Sequence, residues 1–198
     1  MGKDEAFDHQ VMEWVRVIRS KVRSGAHPPG EFLVLDHLLH EMRLVKSKTE
    51  LELMKKSGQI AVAAHERAMK ICKPGMNEYE LEAEYLYEFA RNGSRAPAYN
   101  SIVAGGANAC ILHYIDNNQA LSDGDLVLID AGCEYEYYAS DITRTFPVNG
   151  KFSPEQKAVY EVVLEAQLEA IKAIKPGAHW DDPHNRTVEV ITAGLVEL

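Results

Sequence analysis

The stretch "DLVLIDAGCEYEYYASDITRTFPV", residues 125–148, puts an aspartate where a strand pattern calls for a hydrophobe, and a second one eleven residues on. Side chains alternate along a strand, so Leu126, Leu128 and Asp130 share one face and Val127 and Ile129 the other. On the return strand Asp141, Thr143 and Thr145 lie on one face, opposite to Ile142, Arg144 and Phe146. A tight turn near Tyr135-Glu136 makes the segment a hairpin and sets Asp130 directly across from Asp141. Opposed side chains stand roughly 4.5–5.5 Å apart, where like charges repel. Half-burying both carboxylates costs more still unless something compensates. A shared proton, a bridging arginine or a bound cation would each serve, although Arg144 points to the other face by parity. Paired hard oxygen ligands suit Mn²⁺, Mg²⁺ or Zn²⁺, and two-metal hydrolases hold their ions about 3.5–4 Å apart. The plainer alternative is that Asp130 opens the "DAG" turn and Asp141 sits exposed at a strand end. Spacing alone leaves these readings open.

Working outward, helical signals come in pairs. Ser47 and Glu50 form a capping box, in which hydroxyl and carboxylate satisfy orphan helix amides reciprocally. A long helix runs from there to Lys73-Pro74-Gly75, with Leu51, Met54, Ala61, Ala68 and Cys72 on one stripe and Gly58 and His65 in the same row. Asn77 and Glu80 cap a second helix that closes at Asn92-Gly93. "YNSIVAGGANACILHYI" reads as strand-like and leads into the hairpin. Ser153-Pro154-Glu155-Gln156 is another capping box, and Val159, Val162, Val163, Ala166, Ala170 and Ile174 mark the expected buried face of its helix. That helix ends at Lys175-Pro176-Gly177, and Asp182-Pro183 starts a partner. The order of helix, K-P-G, helix and sheet therefore begins to repeat, with no second sheet half after it.

Upstream, residues 8–23 carry Val11, Trp14, Val15 and Ile18 at helical spacing, and "SGAHPPGE" follows as a linker. The expected organisation is thus a remnant helix plus linker over 1–45 and a partial catalytic domain over 46–198. The chain has 198 residues, 46% of them hydrophobic and 26% charged, an ordinary balance for a folded domain. Its formal net charge of -9 argues against a nucleic-acid partner. Cys72, Cys110 and Cys133 form no C-x-x-C pair, which fits a reducing, cytoplasmic setting. No apolar run approaches the roughly 20 residues of a membrane span. His113, in "ACILHYI", is either a satisfied core or rim residue, or a substrate contact or proton relay.

Three segments, 40–69, 73–114 and 123–153, together resemble the aminopeptidase P (Xaa-Pro aminopeptidase) branch of the pita-bread metallopeptidases. The most specific part is "LIDAG … SDITRTFPV" with "ILHY" upstream. The resemblance implies an α+β chain forming the first half of a pita-bread fold. Helix pairs would pack on a curved antiparallel sheet, with the pseudo-twofold repeat incomplete. It implies Asp130 as a ligand at one divalent ion and Asp141 as a bridge between two, with Mn²⁺ the expected metal. It implies His113 beside the substrate, peptides with proline in second position as substrates, and no organic cofactor. The family's later H-x-x-G-H segment and its two ligating glutamates have no counterpart here, nor has nearly all of its N-terminal domain. The expectation is a portion of an Xaa-Pro aminopeptidase that is inactive by itself and self-associates into a homo-oligomer through exposed half-fold surfaces. The competing expectation is a non-catalytic pita-bread module that binds peptides or proteins.

Overall fold

A computed structural model describes residues 4–198, which form two compact units, one up to Glu50 and one spanning Leu51–Leu198. In the first, α1 (Glu5–Ser20) starts where the Asp4 carboxylate accepts the Phe7 amide at 3.0 Å. The Pro-Gly-rich stretch has no regular secondary structure, as a linker should, but α2 (Leu35–Leu44) follows it and was not anticipated. Its cap position is Val34, with no side-chain hydrogen bond, so the usual sequence signal for a helix start is missing.

The second unit is built on α3 (Lys48–Ile71) and α4 (Glu78–Arg91). Both capping boxes form: Ser47 N–H donates to Glu50, and Asn77 N–H donates to Glu80, each at 2.6 Å. The buried stripe of α3 is Ser57, Ile60, Ala61, Ala64, His65 and Ala68, whereas Leu51 and Met54, expected on it, are exposed. Full burial on this helix begins only at Ser57. Small residues on this stripe let the helix approach closely, and its two polar members bond to strand backbone. Ser57 Oγ donates to the Cys133 carbonyl at 3.1 Å, and His65 Nε2 lies 2.9 Å from the Ile142 carbonyl. On α4, Leu81, Tyr85 and Phe89 at i, i+4 and i+8 complete the helical side of the core. Each such buried side chain contributes about 1.5–3 kcal/mol of apolar burial.

Six strands follow: β1 (Ala96–Pro97), β2 (Ile102–Gly105), β3 (Leu126–Ala131), β4 (Cys133–Tyr135), β5 (Tyr138–Ala139) and β6 (Ile142–Pro147). They make two antiparallel three-stranded sheets, ordered β2-β3-β6 and β1-β4-β5. Along β3 burial alternates as parity requires. Val127, Ile129 and Ala131 are fully buried in the core with α3 and α4, while Leu126, Leu128 and Asp130 are half-exposed on the opposite face. The expected strand through "YNSIVAGGANACILHYI" is shorter than anticipated. It breaks at Gly106, where φ is 52°, into a 3₁₀ turn over Gly106–Cys110 and an irregular loop.

Next, α5 (Pro154–Ala173) and α6 (Asp182–Glu197) pack on each other. A Cβ at Gly194 would lie 2.6 Å from a Val162 methyl, which shows how closely the two helices approach. Only Ala166 on α5 is fully buried; Val159, Val163 and Ile174, expected to be buried, are exposed. The reason is geometric: Val159 and Val163 overlook an open groove of about 650 Å³ shared with Leu126 and Leu128 rather than a packed surface. No helix among the described residues is long and apolar enough to cross a membrane.

The pair of His65 and Tyr85 gives this core a pH dependence. A carbonyl only accepts, so Nε2 of His65 carries the proton toward Ile142, and Nδ1 accepts from the Tyr85 hydroxyl at 2.6 Å. Burial holds the His65 pKa below 6.5, against the raising effect of the Ile142 and Ala131 backbone and of Asp130. Below pH 6.5 the unfolded chain takes up a proton that the folded chain resists, so stability falls as the pH drops through that value. The slope from one such group reaches about 1.4 kcal/mol per pH unit. In urea unfolding measured below pH 6.5, His65→Gln should flatten this slope while costing stability at neutral pH.

Candidate functional site

The site is laid out by the hairpin. Its turn is Glu136-Tyr137, with φ of 49° and 70°, and not the expected Tyr135-Glu136. Tyr135 pairs with Tyr138, Glu134 with Ala139 and Asp130 with Thr143. Moving a two-residue turn by one position shifts the register by two, so Asp130 and Asp141 are diagonal neighbours rather than directly opposed. Because the shift is even, both still project from the same face. Asp130 is half-buried and Asp141 is exposed, so the charge pair is less desolvated than the sequence pattern implied.

Between β3 and β4 the chain bends at Gly132. A Cβ there would stand 1.7 Å from the Ser140 carbonyl oxygen, so this position requires glycine for close approach of the two arms. Three bonds lock the crossing: Ser140 N–H to the Cys133 carbonyl (2.9 Å), Cys133 N–H to Ser140 Oγ (3.0 Å) and Ala98 N–H to the Gly132 carbonyl (2.9 Å). Asp141 follows Ser140 directly, so the bend fixes where its carboxylate emerges.

Tyr99, which the sequence reading did not single out, joins the acids. Its hydroxyl lies 2.5 Å from Asp130 Oδ1 and 3.1 Å from Asp141 Oδ1. Burial, and then the two carboxylates it faces, hold the Tyr99 proton far above its ordinary pKa. The hydroxyl therefore stays protonated and donates. Neither aspartate forms a salt bridge among the described residues, and Arg144 is turned away as parity predicts, with Nη1 on the Thr143 carbonyl. Tyr99 lies between β1 and β2, outside any strand, so no periodicity marks it.

His113 completes the cluster. It lies in the loop after β2 with φ of 57°, exposed, and lines an open pocket of about 360 Å³ with Asp130, Asp141, Tyr99, Asn100, Ile102 and Ile115. All three residues singled out from the sequence thus meet at one pocket. Two carboxylates aimed at a common space, with no cationic partner, form a hard-oxygen donor set suited to a divalent ion. Among the described residues no group of three or more histidine, cysteine, aspartate or glutamate side chains is gathered to hold a metal.

Residues 52–197 match the profile of metallopeptidase family M24. The chain belongs to this family. The Xaa-Pro aminopeptidase of Haemophilus influenzae is 54% identical over 169 residues, 85% of this chain and 39% of that protein. The structure of Pseudomonas aeruginosa aminopeptidase PepP superposes with a TM-score of 0.93 at 59% identity, over 100% of this chain and 45% of that one. Zn-substituted Escherichia coli aminopeptidase P in complex with product gives a TM-score of 0.92 at 44% identity, with the same coverage. This M24 chain therefore spans about two fifths of the length of its curated relatives and adopts the pita-bread fold of aminopeptidase P over that portion.

Gly132→Ala should be among the most damaging single changes in this M24 chain. With backbone rather than a flexible side chain in the way, the cost should be on the order of 3 kcal/mol, the upper end for overpacking. Guanidinium unfolding measures it, and Gly150→Ala, where a Cβ meets open space but φ is 76°, is the control for backbone strain alone.

Proposed function

We propose that this chain supplies the paired aspartates and the substrate-side histidine of an Xaa-Pro aminopeptidase. Such an enzyme releases the first residue from peptides with proline in second position. The observation that carries this reading is the convergence of Asp130, Asp141 and His113 on one pocket, in a chain 54% identical to a relative of that name. Asp130 and Asp141 are the residues that would hold divalent metal, manganese in this reading. Bound there, the metal would lower the pKa of water to yield a nucleophile near neutral pH and offset charge on the carbonyl oxygen.

The rest is the work of the chain's own groups. Tyr99 shares its single hydroxyl proton between Oδ1 of Asp130, the nearer at 2.5 Å, and Oδ1 of Asp141 at 3.1 Å, which orients both carboxylates and leaves their other oxygens for ligation. His113, across the pocket, binds the peptide and holds or passes a proton at its imidazole. Ile102 and Ile115 offer apolar wall beside it. Two carboxylates do not complete a two-ion centre, so the 198-residue chain by itself is not catalytically competent in this reading. A cytoplasmic location and self-association through the exposed face of α5 belong to the same proposal, supported by the unpaired cysteines and by exposed Val159, Val163, Leu168 and Ile171.

The test is a chimera in which the segment following residue 197 comes from the Pseudomonas aeruginosa relative. The chimera should bind two Mn²⁺ by calorimetry and cleave an Xaa-Pro peptide, while the 198-residue chain does neither with comparable affinity or rate. Asp130→Asn or Asp141→Asn should abolish tight metal binding. His113→Ala should keep the metal and lower kcat by about 10²-fold or more, the lower end of what a positioned acid or base contributes. A chimera that folds and binds peptide without cleaving it would replace this reading by that of a non-catalytic binding module.

A further inference from the structure

Glu78, the first residue of α4, is fully buried, and no helical neighbour accounts for its charge. Its partners come instead from the end of β2 and the loop that follows it. Oε1 accepts from Gly105 N–H at 2.8 Å and from Asn108 Nδ2 at 3.0 Å; Oε2 accepts from the Tyr114 hydroxyl at 2.7 Å and from Gln119 N–H at 3.0 Å. The four donors thus run from Gly105, the last residue of β2, to Gln119. His113 is next to Tyr114, carries a positive φ, and is flanked by exposed Ile111, Leu112 and Ile115.

We propose that Glu78 is a positioning residue for His113: its buried carboxylate clamps both ends of the 105–119 loop and its Tyr114 neighbour, and so sets where the imidazole stands in the pocket. This rests on the functional reading of His113 given above. The chemistry calls for a carboxylate, because each oxygen meets two donors. An amide would turn an N–H₂ toward two of them. Burial opposes the charge on Glu78, but the hydrogen bonds from Asn108, Gly105, Gln119 and Tyr114 outweigh it and hold its pKa below the ordinary value. The clamp is therefore ionised near neutrality. A second anchor, Asn117, accepts from Val103 N–H at 2.9 Å and donates to the Ser101 carbonyl at 2.8 Å, pinning the same loop to β2. At the His113 tip itself the backbone turns through Ile111 N–H on the Asn108 carbonyl and Tyr114 N–H on the Ile111 carbonyl, the Tyr114 ring packs with Ile102 and Ala104, and the side-chain bonds at its hydroxyl run to Glu78 and Asn108.

The test uses the 198-residue chain and needs neither metal nor substrate. Glu78→Gln should speed amide hydrogen exchange at Gly105 and Gln119 by about tenfold or more, as expected for a lost charge-assisted bond in a local opening. Exchange at Val127 and Ile129 should stay unchanged, and the His113 imidazole NMR signal should move to the position of an unconstrained histidine. Tyr114→Phe keeps the carboxylate and removes the hydroxyl next to His113, with its bonds to Glu78 and Asn108. It should shift the His113 signal while Gly105 stays protected, and it decides the matter alone should Glu78→Gln not fold. An unmoved His113 signal in both variants overturns the proposal, as does exchange that rises equally at Val127 and Ile129. In the chimera, Glu78→Gln with His113→Ala should be no slower than His113→Ala alone, because the two act as one unit. If the chimera proves inactive, the function assigned to His113 fails, while the exchange and NMR results still judge the clamp.

Discussion

The register of one hairpin governs this molecule. Pairing Asp130 with Thr143 places two acids on the same sheet face within reach of one tyrosine hydroxyl. The bend at Gly132 passes so close to Ser140 that no side chain fits, and Ser57 and His65 on α3 grip the hairpin backbone on its far side. A slip by a single residue would turn Asp130 into the core and bring Ile129 out. The alternation of burial along β3, and the apolar wall of α4 behind it, hold the register against that slip.

Helices were the most legible part of the sequence, because their ends carry chemistry that does not depend on distant partners. Ser47, Asn77 and Ser153 capped the helices they announced; K-P-G stopped the first and third, and Asn92-Gly93 the second. Where the signal was missing, at Val34, the helix was missed. The buried face of α5 was misjudged for a different reason. Periodicity identifies an apolar stripe, but whether anything covers it depends on neighbours that the pattern does not name.

The site was legible by parity and not by distance. An even shift of register preserves faces, so Asp130 and Asp141 were correctly placed on one side although their pairing was wrong. The turn that sets the pairing, Glu136-Tyr137, has two residues at positive φ and neither glycine nor asparagine to announce it. Tyr99 and Glu78 were invisible because their partners lie 31 and 27 or more residues away, across loops without periodicity. Polar contacts at that range leave no trace in local spacing. They emerge only when the strands are in register.

The three thiols differ sharply in access. Cys133 is sealed in the core, and burial raises the Cys72 thiol to a pKa of about 11, which leaves it almost wholly un-ionised at neutral pH. Cys110 alone is exposed, three positions before His113 and at the end of the 3₁₀ turn that opens the same loop. The thiolate is the species that alkylates, so a maleimide or iodoacetamide dye added at neutral pH would settle on Cys110 first. The chain thus carries a ready attachment point for a fluorescent reporter on the same loop as His113, and no cysteine needs to be engineered in or out.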